Sequence, residues 1–286
     1  SMLPKDAGRE FAHDGKKSAG KPRGAGLIFI LAFGIVAVLF GKLNWEILIY
    51  LVLTMASMLT GYLDDASKNP WGEFKKGALD LLIACLVAGT YLAFNGSEIF
   101  INVLGESISL NPIVFFILAV ILVWVSINVT NCTDGVDGLS GTLSVITLFT
   151  IYLLESVKGT NSAINYITLI LIACVLAYLW FNATPSKLMM GDAGSRALGI
   201  FISIAILKTG SPLLYIPVAL MLIIDGGLGL LKISFRRFLK IEILNNVRTP
   251  IHDHVRKKNE WSNTQVVFRF AIIQIIVSFC VIYLIK

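Results

Sequence analysis

Residues 112–139 read PIVFFILAVILVWVSINVTNCTDGVDGL, an apolar run that passes directly into a polar and acidic motif. From Pro112 to Val129 the run contains no charged residue. A helix needs about 20 such residues to cross the hydrocarbon core of a bilayer. The stretch therefore predicts a transmembrane helix that ends in a polar segment at the membrane surface.

The rest of the chain repeats this pattern. Of its 286 residues 56% are hydrophobic and 15% are charged, whereas soluble domains have about 45–50% and about 25%. The four cysteines have no spacing typical of a metal site or a disulfide framework. We therefore predict an all-α, polytopic integral membrane protein, a single membrane-embedded domain over 1–286. About nine segments qualify as spans: 25–41, 47–63, 77–94, 112–129, 138–154, 164–181, 197–209, 212–231 and 265–285.

The basic residues predict the orientation. If the spans alternate, most of the 24 Lys and Arg residues fall on one side of the membrane. By the positive-inside rule this side is the cytoplasm. It holds the N-terminal segment 1–24 and a basic loop at 231–263 before the last helix. The net charge of +6 is then a consequence of membrane topology, and we expect no nucleic-acid partner.

Acidic and histidine residues gather on the same predicted face. They are Asp64 and Asp65, Asp134 and Asp137, Asp192, and the trio His252, Asp253 and His254. Each group also has a purely structural interpretation, as a helix terminus, a turn, a helix cap or a surface loop. Acids at membrane helix ends are costly to desolvate, however, and their convergence on one face favours a functional site.

These residue types favour one kind of chemistry. Several carboxylates without cysteine ligands, close to many Lys and Arg, suit a hard cation such as Mg²⁺ bound beside phosphates. Glycines in both acidic motifs allow backbone N–H groups to approach an anion. No P-loop motif is present in the sequence. The pattern predicts a metal-assisted phosphoryl transfer at the cytoplasmic surface.

The motifs together resemble those of the polyprenyl-phosphate N-acetylhexosamine-1-phosphate transferases. The matching stretches are 64–68 (DDASK), 128–139 (NVTNCTDGVDGL), 182–185 (NATP), 190–195 (MGDAGS) and, more loosely, 17–22 (KSAGKP). They lie in the family's order and cover most of the chain. The segment TPIHDH at 249–254 resembles the family branch of bacterial peptidoglycan synthesis, although that branch usually has a third histidine where Asp253 stands.

The resemblance implies transfer of phospho-N-acetylmuramoyl-pentapeptide from UDP to undecaprenyl phosphate, which yields lipid I and UMP. It also implies a multi-pass protein of the bacterial cell membrane, a homodimer, with Mg²⁺ as cofactor and the active site facing the cytoplasm. Ten spans are expected in this branch, one of them preceding the Lys17 segment.

The resemblance further implies residue roles. Asp192 is expected to bind the metal, with Asp64 and Asp65 at the reacting phosphates and His252 as phosphate contact or proton donor. The remaining substrate-binding candidates are Lys17, Lys68, Asn131, Asp134, Asp137, Gly138, Asn182, Met189 and His254. Whether an aspartate deprotonates the lipid phosphate or becomes a covalent nucleophile stays open.

Two other functions remain compatible with the sequence. The nearer is a sister transferase that uses UDP-GlcNAc or another UDP-HexNAc, favoured by the altered HDH segment. The more distant is a secondary transporter, because intramembrane acids also mark ion pathways. Against the transporter, the acids cluster at helix ends and no inverted repeat is evident.

Overall fold

A computed structural model describes residues 3–6, 8, 18–67, 69–159 and 162–285. Twelve helices within these ranges are α1 Gly26–Phe40, α2 Trp45–Asp65, α3 Glu73–Asn95, α4 Pro112–Thr133, α5 Leu139–Val157, α6 Ala163–Asn182, α7 Gly191–Lys208, α8 Tyr215–Val218, α9 Leu220–Leu222, α10 Leu228–Ser234, α11 Ile251–Lys258 and α12 Asn263–Ile285. Each of the nine predicted apolar segments forms helix. The fold is that of a polytopic membrane protein.

Six of the described helices are long and apolar enough to cross a membrane: α2, α3, α4, α5, α6 and α12. A seventh candidate span is a bent pair, Pro212–Val218 with Leu220–Leu239, whose halves meet at 71°. Helix α1 is apolar but has only 15 residues. Outward-facing side chains such as Ile113 and Phe279 are about 70% exposed, as expected of surfaces that face lipid.

Helix α7 lies at the centre of the bundle. Every residue from Gly191 to Leu207 is buried, although the helix carries Asp192, Arg196 and Lys208. Its close neighbours need glycine at the contacts, since a Cβ at Gly61 of α2 would meet the backbone of Asp192. Helix α7 is therefore enclosed by protein, which lets it keep charged residues that a lipid-facing helix would not.

The bend between α8 and α9 is stabilised from α12. Pro217 cannot donate a backbone hydrogen bond, and the helix breaks at Ala219. The buried side chain of Gln274 accepts from the Met221 backbone N–H at 2.9 Å and donates to the Pro217 carbonyl at 3.1 Å. One amide thus satisfies a donor and an acceptor that the break would otherwise leave unpaired.

The chain is mostly helical, as predicted, and adds one element: strands β1 Glu98–Ile101 and β2 Glu106–Ser109 pair as a short antiparallel hairpin between α3 and α4. The basic segment 231–263 contains the end of α10, a π-helical turn at Phe235–Leu239 and all of α11.

Candidate active site

One end of the bundle collects the acidic motifs that the sequence analysis singled out. Helices α2, α4 and α6 end there, and α3, α5, α7 and α12 begin there, because consecutive helices run antiparallel. The side chains of Asp64, Asp65 and Asp192 consequently meet, as predicted, although they are up to 128 residues apart in the chain.

Arg23 joins the aspartates of two helices. Its Nε donates to Oδ1 of Asp65 at 2.8 Å, and its Nη2 donates to Oδ1 of Asp192 at 3.2 Å. Its third nitrogen reaches Asp6, 3.3 Å away. Burial opposes the charge of Arg23, but these carboxylates outweigh it and raise the pKa of the guanidinium above its ordinary value. Arg23 therefore fixes the relative positions of Asp65 and Asp192.

Lys76, at the start of α3, forms the second bridge. Its ammonium lies 3.2 Å from Oδ2 of Asp192 and also forms an ion pair with Asp64. The other oxygen of Asp64 accepts from the Trp71 backbone N–H at 2.7 Å. The carboxylates of Asp64 and Asp192 thus converge on a single cation.

The start of α7 is shaped for this cluster. Gly191 has a φ of +72°, which favours glycine, and a Cβ at this position would strike the Asp65 carboxylate. The Ala193 backbone N–H donates to Oδ2 of Asp65 at 3.1 Å. This N–H belongs to the first turn of α7, where backbone N–H groups have no acceptor within the helix, so its hydrogen bond stabilises the negative charge of Asp65.

A cavity of about 990 Å³ is lined by the acidic motif after α4, the segment before α7 and part of α11, whereas Asp64, Asp65 and Asp192 do not line it. Met189, just before the α7 motif, lines it, and so does Lys21, two residues before Arg23. Asp134, Asp137, Asn182 and His252 line it as well. Five predicted site residues therefore share one cavity, and its volume is within the range of small-molecule sites.

Some residues that were predicted to bind the substrate form hydrogen bonds within the protein. The Asn182 side chain accepts from the Gly138 backbone N–H at 2.8 Å and donates to the Leu188 carbonyl at 2.9 Å. Asn182 and Gly138 therefore hold the acidic motif between α4 and α5 against the end of α6. Asp137 lies 3.6 Å from Lys21, and its Oδ2 accepts from the Ser186 backbone N–H at 3.2 Å.

His252 is oriented by an acid that sequence reasoning did not single out. Its ring Nδ1 lies 2.8 Å from Oδ2 of Asp225, and its backbone N–H donates to Oδ1 at 2.7 Å. Asp225 is fully buried in the π-helical turn Ile223–Gly227. The Nε2 atom of His252 faces Gly135, where a Cβ would meet it. The pair presents Nε2 to the acidic motif that lines the cavity.

Asn131 belongs to the aspartate cluster, because it hydrogen-bonds the Asp192 carboxylate as well as donating to Ser195 at 2.9 Å. The remaining predicted residues lie elsewhere. His254 lines a second, smaller cavity instead of the first. Lys17 and Lys68 lie outside the described residues.

Asp225, Arg23, Lys76 and Lys21 are among the residues that sequence reasoning missed as members of the site. Asp225 had a signal, since it is a carboxylate within the apolar run 212–231. Lys76 stands on the predicted cytoplasmic side, and Arg23 directly follows the N-terminal motif at 17–22. For both, only the tertiary structure reveals which carboxylates they contact.

The family resemblance implies a Mg²⁺ ion at these carboxylates. Among the described residues, no group of three or more His, Cys, Asp or Glu side chains is arranged to hold a metal ion. Mg²⁺, however, is usually held by one or two protein carboxylates, with substrate phosphates supplying further ligands. Asp64 and Asp192 already share one cationic position, so this donor set fits Mg²⁺ bound together with a phosphate.

Comparisons with known proteins give a consistent result. Residues 47–210 match the model for glycosyl transferase family 4. The phospho-N-acetylmuramoyl-pentapeptide-transferase of Treponema pallidum is 40% identical over 291 residues, covering 96% of this chain and 80% of the relative. The proteins of the same name from Thermotoga neapolitana and Wolbachia pipientis are 29% and 26% identical, over 91% and 90% of this chain and 83% and 82% of theirs.

Proposed function

The chain belongs to glycosyl transferase family 4, and from this membership we propose that it makes lipid I for peptidoglycan synthesis. In this reaction phospho-N-acetylmuramoyl-pentapeptide passes from UDP to undecaprenyl phosphate, and UMP is released. The relatives that carry this activity in their name cover nearly the whole chain.

One structural observation carries the mechanism. Asp65 and Asp192, from different helices, are held together by Arg23, which follows two residues after Lys21 in the lining of the cavity of about 990 Å³. The reaction brings two anionic groups together, a lipid phosphate and a pyrophosphate. Catalysis of such a reaction is mainly positioning and neutralisation of charge. A cluster that combines fixed carboxylates with Arg23 and Lys76 suits this task.

The chemical step is a displacement at phosphorus. An oxygen of the lipid phosphate bonds to the β-phosphorus of the donor, the bond from that phosphorus to the bridging oxygen breaks, and UMP leaves with the electron pair. A phosphate monoester is largely ionised near pH 7, so the lipid phosphate can attack directly. Asp64 and Asp65 position the lipid phosphate, and one of them accepts the proton of the minor monoanionic fraction before attack; no covalent enzyme intermediate is required.

Mg²⁺ completes this proposal as the cofactor, with Asp192 as its ligand. When bound, Mg²⁺ would neutralise charge on the reacting phosphates. Lys76 contacts Asp64 and Asp192, and its ammonium adds positive charge close to the proposed position of the reacting phosphates. His252, aimed by Asp225, serves as a phosphate contact or proton donor. Asp134, Asp137 and Met189 line the space for the nucleotide.

The proposal also covers the membrane topology, the cellular location and the assembly of the protein. The face that holds the aspartates carries most of the basic residues and is assigned to the cytoplasm of a bacterial cell membrane. UDP-linked sugars are charged, water-soluble donors, which suits a site open to the cytoplasm. A homodimer is the proposed assembly, by resemblance to the family.

The test uses purified protein in detergent with undecaprenyl phosphate and Mg²⁺. UMP release is compared for UDP-MurNAc-pentapeptide and UDP-GlcNAc. Turnover of the pentapeptide donor alone supports the proposal. Turnover of UDP-GlcNAc alone would instead assign the protein to a sister transferase, and UMP from neither donor would refute a transferase of this type.

A further inference from the structure

Helix α11 separates two cavities. His252, Asp253 and Arg256 line the first cavity, of about 990 Å³. His254, Lys257 and Lys258 line the second, which has a volume of about 380 Å³. With 3.6 residues per turn, these two sets occupy opposite faces of one short helix. Arg248 borders both cavities, so the two are neighbours around the start of α11.

The second cavity is lined by cationic and hydrogen-bond-donating groups. None of the residues described as lining it is acidic. Lys257 and Lys258 are exposed on α11, and two asparagines, Asn245 and Asn246, stand opposite. Such a lining attracts an anion and disfavours a cation.

The wall of this cavity is a folded turn. The Lys232 ammonium donates to the Leu244 carbonyl at 3.0 Å and to the Val247 carbonyl at 2.8 Å. The Val247 backbone N–H donates to the Leu244 carbonyl at 3.0 Å, which closes the turn. The segment that carries Asn245 and Asn246 is thus tied to α10.

His254 is also oriented toward a donor role. Its Nδ1 accepts a hydrogen bond from the Arg248 backbone N–H at 3.1 Å. A ring nitrogen that accepts carries no proton, so the ring N–H is at Nε2. His254 therefore offers a donor from the same side of α11 as Lys257 and Lys258.

We propose that the second cavity binds the carboxylate at the free end of the donor's peptide. This inference rests on the proposed function, in which the donor is a nucleotide sugar that carries a pentapeptide through the peptide's amino end. The nucleotide and sugar occupy the first cavity, and the peptide passes Arg248 into the second. A carboxylate there accepts hydrogen bonds from Lys257, Lys258 and His254.

Continuity favours the peptide over a lipid headgroup as the occupant. Arg248 lines both cavities, so a ligand of the first cavity can extend into the second without leaving the protein surface. Val247 is the one hydrophobic residue among those described as lining the second cavity, whereas an acyl chain would need several.

The experiment combines a change in the protein with a change in the donor. UMP release is measured with UDP-MurNAc-pentapeptide and with the same donor ending in a carboxamide, for the wild type and for Lys257→Gln/Lys258→Gln. The wild type should show a KM about fivefold higher for the amide, the scale of a partly exposed ion pair. The double variant should show equal KM values for both donors.

A matched control removes two charges from the same basic segment outside the cavity. Arg236→Gln/Lys240→Gln should keep the wild-type preference for the carboxylate donor, because both side chains are exposed and line neither cavity. The wild-type preference should also shrink at high salt, since the lysines are exposed.

Contrary results are distinguishable. Equal KM values of the wild type for both donors would overturn this inference while leaving the proposed function intact. A double variant that changes only the KM for undecaprenyl phosphate would assign the cavity to a lipid phosphate and would also overturn it. Turnover of neither donor by the wild type would overturn the proposed function and this inference with it.

Discussion

Nδ1 of His252 lies 2.8 Å from Oδ2 of Asp225, and the two residues come from α11 and from a π-helical turn of the bent span. A carboxylate that accepts from Nδ1 fixes the ring's orientation and leaves Nε2 toward the cavity. Asp225 thus positions His252 without lining the cavity itself.

The pair gives the first prediction. Asp225→Asn should lower kcat about 10- to 100-fold, the scale found when the carboxylate behind a metal-ligating histidine is removed. His252→Gln should lower it similarly, and the double variant should lose little more, because both changes disable one unit. Losses that multiply in the double variant would show that the two residues act independently.

Arg23 carries the second prediction. Arg23→Gln removes the partner of three carboxylates, and it should lower the free energy of unfolding by about 3 kcal/mol as well as activity. Arg23→Lys keeps the charge but cannot span the carboxylates with a planar fork, so it should recover stability only in part. Thermal unfolding in detergent measures the stability of both variants, and UMP release measures their activity.

The control for Arg23 is Lys42→Gln, an exposed lysine beyond the other end of α1. It loses the same charge and should leave the unfolding temperature unchanged. An Arg23→Gln protein as stable and active as the Lys42→Gln control would contradict the assigned role.

Several features of the fold and of the site could be predicted from the sequence. Six of the nine predicted spans form described helices long and apolar enough to cross a membrane, and the bent pair gives a seventh, because lipid demands long apolar runs. The family resemblance is confirmed by the relatives. The convergence of Asp64, Asp65 and Asp192 followed from the alternation of spans across the membrane. These features follow from hydrophobicity and from the alternating direction of successive spans, and both can be read from the sequence.

Other features depend on packing that sequence does not record. The hairpin at 98–109 was missed because its two strands are only four residues each. The ion pair of Asp80 with Arg196, buried between α3 and α7, joins residues 116 positions apart. Asp225 gave a visible signal, but its partner His252 could be identified only from the fold.

Gly191 gives the third prediction. Gly191→Ala should lower kcat about 100-fold, because the new Cβ meets the Asp65 carboxylate and the positive φ is strained. Gly77→Ala is the matched control, because its Cβ would enter open space within α3. It should be neutral or slightly stabilising. If both variants turn over lipid phosphate at the wild-type rate, the glycine does not shape the site.

Lys76 gives the fourth prediction, on the metal. Chelation of Mg²⁺ by EDTA should abolish turnover in the wild type. Lys76→Gln leaves Asp64 and Asp192 without their shared ammonium, so Mg²⁺ should raise its melting temperature more than it raises that of the wild type. A smaller Mg²⁺ shift in the variant would mean that these carboxylates do not receive the metal.

The central claim is that the aspartate cluster transfers a sugar phosphate to a lipid phosphate. Its most direct test is mass spectrometry of the lipid extract after reaction of the wild type and of Asp192→Asn with UDP-MurNAc-pentapeptide and undecaprenyl phosphate. The wild type should form undecaprenyl diphosphate-MurNAc-pentapeptide with one UMP per product, and folded Asp192→Asn should form none. Release of UDP in place of UMP, or a normal yield from Asp192→Asn, would contradict the account.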